Sequence, residues 1–167
     1  TYAAAGLPLG GYLITAYDPQ QDRFAEAEFD VTHDDEHVPV DLVLLENRIA
    51  LPAPLYDANR FAFDVQRSGA LATGSGVYAN AGFALSINGQ NYAGDSSARL
   101  EASRRQFAIT QPTTLSGLTV TRKIYVPRGA YYARYLEVLE NPGAAPISVD
   151  VALTSQFAGG GVYATSS

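Results

Sequence analysis

The sequence predicts an all-β protein, in which an antiparallel β-sandwich is preceded by strands of a second, partial β-sandwich. Short segments alternate apolar and polar residues and end at Gly, Pro or Asn, which is typical of half-buried antiparallel strands. The clearest stretch is 118–153, where three such segments follow one another across short turns. Its first segment alternates apolar residues with threonine and lysine, and the apolar face consists of Leu118, Val120, Ile124 and Val126.

The N-terminal part predicts three strands. Two of them, at 12–17 and 23–31, are joined by a turn at Asp18-Pro19, where Pro fixes φ and the Asp side chain caps the turn. A third strand is expected in VPVDLVLLE, with Val38, Val40, Leu42 and Leu44 on one face.

A linker is expected over 47–59, because Pro52 and Pro54 disfavour strand pairing there. The chain then divides into strands of the partial sandwich at 1–46 and the main sandwich at 60–167.

The main sandwich begins with two short strands, FAFDVQ and FALSI, around a glycine-rich passage in which bulges or tight loops are expected. Asn88-Gly89 between two alternating runs predicts a type I′ hairpin. Two more short strands are expected at 98–102 and 106–110, and 100–107 is the one short candidate for a helical turn.

The composition excludes several classes of protein. The net charge of −6 argues against nucleic acid as a partner, since phosphate binding needs a clustered basic surface. No apolar run approaches the roughly 18 residues of a membrane span. The absence of cysteine excludes disulfides and thiol chemistry. Because the chain starts at Thr1 instead of Met, we expect a processed or excised fragment.

Charge is distributed unevenly along the chain. Residues 1–57 contain eleven acidic and two basic residues, a net charge of −9, whereas 58–167 contain six acidic and nine basic residues, a net charge of +3. The favoured interpretation is two modules with differently charged surfaces. The alternative is head-to-tail attraction between copies or neighbouring modules.

Two stretches resemble known families. Residues 6–46 resemble the final strands of a carboxypeptidase-regulatory-like (transthyretin-type) repeat, through G-x-Y-x-I-x-A-x-D-P and the ending V-x-V-x-L-x-L. Residues 60–167 resemble β-sandwich modules of very large secreted bacterial proteins, through GLTVTRKIYVP, YYARYLEVLENP and ISVDVAL. The same phrases resemble the supersandwich domain attached to many polysaccharide-active enzymes. In those enzymes the catalytic residues usually lie on another domain, so the resemblance assigns none here.

The acidic segment H-D-D-E-H at 33–37 is the first candidate for a metal site. Its two histidines would share a face only on a helix, and the segment lies between strands, so a solvated loop is the favoured interpretation. If any cofactor is bound, calcium is expected, because loop carboxylates are hard oxygen ligands. The candidate ligands are Asp18, Asp22, Asp34 and Asp35.

No constellation for catalysis stands out. The chain lacks a G-x-S-x-G motif, and both histidines lie in the acidic segment. Glu137 and Glu140 are three apart on one strand, so alternation places them on opposite faces. The sequence therefore predicts a protein that is not an enzyme.

Tyrosine and arginine cluster around the second of the C-terminal strands. These residue types are favoured in protein interfaces and also occur on ordinary sheet surfaces or in contact with sugars. The candidates for an interface or a glycan contact are Arg122, Tyr125, Arg128, Tyr131, Tyr132, Arg134 and Tyr135.

The resulting prediction is a structural or adhesive module of an extracellular or cell-surface protein, which assembles end to end or by strand complementation. Its expected partners are other copies or neighbouring domains of the same polypeptide. The alternative is a carbohydrate-binding or ancillary domain of a polysaccharide-active enzyme, with glycans as partners.

Overall fold

A computed structural model describes residues 3–72, 78 and 81–158. The predicted all-β fold is confirmed: this part of the chain forms antiparallel sheets and contains no helix. It accordingly provides no helix long and apolar enough to cross a bilayer. The chain separates into two compact units, Thr1–Asn47 (unit 1) and Arg48–Ser167 (unit 2).

Unit 1 is a three-stranded sheet of β1 (Gly10–Asp18), β2 (Arg23–Val31) and β3 (Leu45–Glu46), in that order. As predicted, a turn at Asp18 joins the first two strands. The Asp18 Oδ1 atom accepts the backbone N–H of Gln20 at 2.9 Å, which fixes the turn.

The predicted third strand is shorter than expected. Only Leu45 and Glu46 pair with β2, opposite Phe24 and Arg23. Residues 38–43 alternate in exposure as predicted, whereas Leu44 is exposed, and the segment forms no strand. Alternation of apolar and polar residues predicts a segment with one half-buried face. It does not predict whether another strand lies close enough to form backbone hydrogen bonds.

Unit 2 contains ten strands among its described residues. They are β4 (Arg48–Ala50), β5 (Ala53–Tyr56), β6 (Ala62–Val65), β7 (Ala84–Ile87), β8 (Gln90–Asn91), β9 (Ser97–Glu101), β10 (Gln106–Thr110), β11 (Thr119–Tyr125), β12 (Arg134–Glu140) and β13 (Val151–Thr154). A five-stranded sheet has the order β12-β11-β10-β9-β4, and two smaller sheets have the orders β13-β7-β8 and β5-β6.

One hydrophobic core joins the three sheets of unit 2. The small sheets contribute Leu55, Val65 and Ile87, and the five-stranded sheet contributes Phe107 and Ile124 among others. All five are at most 4% exposed. The layers therefore enclose the core in the manner of a β-sandwich.

The prediction of a linker over 47–59 is wrong in its local structure. Within that segment, β4 pairs with β9 and β5 pairs with β6. Pro54 is accommodated because β5 belongs to a two-stranded sheet and is therefore an edge strand, where a missing N–H is tolerated.

The three C-terminal strands do not form one meander. The strands β11 and β12 pair as neighbours, whereas β13 crosses to another sheet and pairs with β7. The long turn from Asn141 onward is closed by the Asn141 side chain, whose Nδ2 donates to the Ala145 carbonyl at 2.7 Å. Of the third predicted segment, only Val151–Thr154 is a strand, and its residues are all exposed. Alternation along a segment carries no information on which sheet a strand joins.

The turn predicted at Asn88-Gly89 is confirmed. Asn88 and Gly89 both have positive φ, 49° and 75°, and connect β7 to β8 as the predicted hairpin. The candidate helical turn at 100–107 is instead a β-turn between β9 and β10. Seven residues of the glycine-rich passage before β7, for which bulges or tight loops are predicted, lie outside the described residues: 73–77 and 79–80.

Candidate functional site

The outward side of the five-stranded sheet, called the outer face below, is the candidate functional site. Because the strands are in register, side chains align in rows across it. One row contains Lys123, Ala108, Arg99 and Arg48 on four successive strands. The next row pairs the hydroxyls of Thr110 and Thr121 at 2.8 Å.

A shallow groove of about 470 Å³ lies over these rows. Its floor is lowest at Ala108, which carries only a methyl group and separates Lys123 from Arg99 by two strand spacings, about 10 Å. Its lining combines both charges and hydroxyls: Arg48, Asp95, Ser97, Arg99, Glu101, Ala108, Thr110, Thr121, Lys123, Val138 and Glu140.

One carboxylate of the groove is firmly held. Glu101 Oε2 accepts Lys123 Nζ at 2.8 Å and Gln106 Nε2 at 2.6 Å. Partial burial opposes ionisation of Glu101, but the hydrogen bonds from Lys123 and Gln106, with the charges of Lys123 and Arg99, outweigh it and lower its pKa. Lys123 therefore lies on the Thr-rich side of β11, as predicted, with its charge engaged.

Two of the predicted Tyr–Arg residues meet on this face. Tyr125 and Arg134 are cross-strand partners, and the Arg134 guanidinium carbon lies 5.1 Å from the centre of the Tyr125 ring. Their contact is a cation–π interaction at the end of the sheet near the β11–β12 connection.

Arg122, also predicted as a surface contact, is fully buried. It lies on the apolar side of β11, between Val120 and Ile124, and is 0% exposed. The placement of Arg122 among interface or glycan candidates is therefore corrected, because no partner can reach its guanidinium. Alternation in β11 would have placed it inward, since Lys123 and Thr121 flank it on the outer face.

Two of the three guanidinium nitrogens of Arg122 have hydrogen-bond acceptors beneath the sheet, and Nη2 lies 3.0 Å from Glu137 Oε1 in an ion pair. Its Nε donates to Glu137 Oε1 at 3.0 Å, and its Nη1 donates to the Ser68 carbonyl at 3.1 Å. Its carbon lies 4.8 Å from the centre of the Tyr135 ring. Burial raises the pKa of Glu137, and the charge and hydrogen bond of Arg122 oppose that rise.

Tyr135, the other inward candidate, belongs to the same cluster. Its hydroxyl donates to the Gly69 carbonyl at 3.2 Å, and its ring stacks on Phe83 at 4.8 Å. Burial raises the pKa of Tyr135, so the hydroxyl keeps its proton as a donor. Arg122 and Tyr135 thus hold the turn at Ser68 and Gly69 against β11 and β12, which is a structural role.

The remaining Tyr–Arg candidates lie in the connection between β11 and β12. Tyr131 is 66% exposed and Tyr132 is 52% exposed. Arg128 is exposed in the same connection. The seven predicted residues are therefore divided among the core, the outer face and this connection, and do not form one surface.

The predicted calcium ligands are also separated. Asp18 and Asp22 lie in the turn that precedes β2, and Asp34 and Asp35 lie in the segment that follows it. The nine residues of β2 span about 27 Å. No three His, Asp or Glu side chains among the described residues come together as a metal site.

The H-D-D-E-H segment is a polar loop organised by Glu36. The Glu36 Oε2 atom accepts the Thr32 N–H at 2.6 Å and the Thr32 hydroxyl at 3.0 Å. The backbone hydrogen bond from Thr32 is the main cause of the lowered pKa of Glu36. This geometry agrees with the solvated loop that the sequence favours.

Comparison with known proteins adds no relative: none of the family models, curated proteins or solved structures searched matches the chain. What the site can bind is therefore inferred from its geometry alone. The outer face offers hydrogen-bond donors, acceptors and cations on a rigid sheet, which suits recognition of a polar ligand.

Proposed function

We propose that this chain is a non-enzymatic structural or adhesive module of an extracellular or cell-surface protein, which assembles with other copies or neighbouring modules through unit 1. The observation that carries the proposal is the small core of unit 1. Of its described residues, only Ala25 and Asn47 are buried. A sheet that buries so little apolar surface gains little stability on its own.

Unit 1 has apolar side chains available for a partner. One side of β1 and β2 carries Tyr12, Ile14, Ala27 and Phe29, all only half-buried, with Tyr12 and Phe29 stacked at 5.5 Å between ring centres. Large apolar side chains elsewhere in the unit are 38–71% exposed: Leu7, Leu9, Leu13, Tyr17, Val43, Leu44 and Leu45. So many exposed large apolar side chains in one small unit favour an interaction role.

The backbone of unit 1 also supports assembly by strand addition. The strand β2 is paired with β3 only at Arg23 and Phe24. Along 25–31, the edge of β2 that faces away from β1 has no partner strand among the described residues. An open edge of this length pairs readily with a strand from another chain.

Charge favours a partner of the opposite sign. Unit 1 contains ten acidic residues and one basic residue, a net charge of −9, whereas residues 48–167 contain seven acidic and ten basic residues, a net charge of +3. Attraction of this kind raises association rates and weakens as salt screens it.

Light scattering coupled to size exclusion tests the proposal, over a range of concentration at low and high salt. We expect oligomers at low salt that dissociate as salt increases. The Ala27→Lys variant, which places a charge on the apolar side of β2, is expected to remain monomeric. The Thr15→Lys variant adds the same charge on the other side of the sheet and serves as control. A wild-type protein that is monomeric under every condition would overturn the proposal.

Glycan binding by the outer face is the second candidate function. The groove over Ala108 favours it, because hydroxyl and charged side chains line a sheet surface whose backbone is already paired. Such a surface recognises a ligand through side chains, and sugar hydroxyls match those donors and acceptors. Binding of oligosaccharides by isothermal titration calorimetry tests this candidate.

A further inference from the structure

The strand β13 is an exposed edge of unit 2. It pairs with β7 on one side, and no strand among the described residues adjoins its other side. Its four residues are uncharged and all exposed, with Val151 at 48% and Leu153 at 50%. Edge strands are usually very short or carry charge, because an unprotected edge pairs with other chains. Other edges of unit 2 are protected in these ways: β12 carries Arg134 and Glu140, and β4 and β8 have three and two residues.

The backbone groups on the open side of β13 belong to Val151 and Leu153. The Asn88 N–H donates to the Asp150 carbonyl at 2.8 Å, and this pair continues the register of β7 and β13. Hydrogen-bonded pairs alternate along an antiparallel ladder, so Ala152 bonds to β7, whereas Val151 and Leu153 direct their N–H and C=O groups away from it. The open edge therefore offers two residues with both backbone groups available to another strand.

The side chains of the same two residues extend the core of unit 2 beyond its cover. Residues directly opposite each other on paired strands have their side chains on the same face. Val151 is opposite Ile87, which is 0% exposed, and Leu153 is opposite Leu85, which is 3% exposed. The core face of the sheet thus continues from β7 onto β13, where about half of each side chain is uncovered. A further strand at this edge, apolar on the same face, would cover it.

We propose that β13 pairs with β13 of a second copy, antiparallel, about a two-fold axis at Ala152. Val151 of each copy then lies opposite Leu153 of the other, so their outward backbone groups meet and their apolar side chains cover one another. Ala152 lies opposite its counterpart, where a methyl group permits close approach. Asp150 lies opposite Thr154, so no like charges face each other. The edge is complementary to itself, which identifies a second copy as the partner.

This contact is small and is separate from the assembly proposed for unit 1. The four residues of β13 are far fewer than the roughly 20–30 that each partner contributes to a stable interface. We therefore expect a transient pair that does not hold a dimer through size exclusion. Within an assembly formed by unit 1, it gives each chain a second contact, which forms more readily because the copies are already close. Because β13 is uncharged, salt is not expected to weaken the pair.

Disulfide cross-linking tests the register, since the chain has no cysteine of its own. The Ala152→Cys substitution is made in an Ala27→Lys chain, in which assembly through unit 1 is expected to be lost. In the proposed pair, the two Cα atoms at 152 lie about 4.5–5.5 Å apart, within the range for a disulfide. The matched control is Thr154→Cys, on the same face of β13, whose two positions lie about 13 Å apart along the strands.

We expect oxidised glutathione to cross-link the Ala152→Cys chain at least about tenfold faster than the control, at low and at high salt. Leu153→Pro, added to the Ala152→Cys chain, removes an N–H from the open side and is expected to slow cross-linking by about tenfold. Urea denaturation checks that this variant folds, and the comparison with Thr154→Cys does not depend on it.

Four results would overturn the proposal. Equal rates for Ala152→Cys and Thr154→Cys would reduce cross-linking to random collision. Loss of cross-linking at high salt would attribute the encounter to charge. An unchanged rate in a folded Leu153→Pro variant would exclude strand pairing. Cross-linking that occurs only after removal of residues 159–167 would assign the edge to the chain's own end. None of these results concerns unit 1, whose assembly is tested separately by light scattering.

Discussion

Arg122 and Glu137 form an ion pair beneath the five-stranded sheet, across neighbouring strands, with the side chain of Arg122 fully buried and that of Glu137 11% exposed. The second carboxylate oxygen of Glu137 has no hydrogen-bond partner among the described residues. Their mutual attraction, the Ser68 carbonyl and the Tyr135 ring oppose the cost of desolvating the two charges. A buried pair arranged in this way is costly to break from one side.

Removal of one partner tests that relationship. We expect Arg122→Met to lower the free energy of unfolding by about 3–5 kcal/mol, because Glu137 is left as an uncompensated buried charge. The double variant Arg122→Met, Glu137→Leu is expected to recover most of the loss. Urea denaturation measures both. A double variant whose loss equals the sum of the single losses would show that the two side chains are not coupled.

Gly69 is expected to be irreplaceable for a steric reason. It has a φ of +70°, and an added Cβ would lie 2.5 Å from Arg122 Cδ, whose side chain is locked. Gly89 has a φ of +75° and open space where a Cβ would lie. Gly89→Ala is therefore expected to cost only the backbone strain, about 1 kcal/mol. Gly69→Ala is expected to cost at least about 2 kcal/mol more, since overpacking adds to the strain. Similar losses for both variants in urea denaturation would contradict this account of Gly69.

The Lys123–Glu101 pair predicts a defined pH dependence. The pKa of Glu101 is lowered from 4.5 in the folded state, so its ionised form is stabilised by folding above that value. That stability is lost as the pH falls through the folded pKa. We expect Glu101→Gln to be less stable than wild type by about 0.5–1 kcal/mol at pH 7 and nearly equal to it near pH 2–3. Denaturant unfolding across this range measures the difference.

The Lys123→Met background provides the control for this pH effect. Without Lys123 the largest cation contact of Glu101 is gone, so Glu101→Gln should then change stability by a smaller and flatter amount. A wild-type advantage over Glu101→Gln that persists unchanged at low pH would contradict the assignment.

Local patterns in the sequence predict strands and turns. They do not predict which strands pair, because pairing depends on residues that are distant in the sequence. The alternation of β11 and the Asn88-Gly89 turn are set by neighbouring residues, so both are predictable. The partner of β13 is more than sixty residues earlier in the chain, and nothing in its alternation identifies β7. Pro54 is disfavoured in a strand only where its N–H would be needed, which depends on the edge position of β5.

The candidate site was predictable only in part. The local enrichment in tyrosine and arginine identifies Tyr125 and Arg134 as candidates. Their contact follows from the register of β11 and β12, in which they are directly opposite each other. Alternation along β11 places Arg122 on the buried side, whereas its charge favours an exposed position. Its burial depends on the ion pair with Glu137 on the neighbouring strand, which the sequence does not show. Arg48 and Arg99 are fifty-one residues apart, and β4 lay in the expected linker, so their pairing had no signal in the sequence.

Assembly through the open edge of β2 is the central claim, and hydrogen exchange of the full chain as a function of protein concentration tests it most directly. We expect amides in residues 25–31 to become more protected as concentration rises at low salt, and to lose that protection at high salt. Amides of β10, paired on both sides, should stay protected throughout. Exchange in 25–31 that does not change with concentration or salt would contradict the claim.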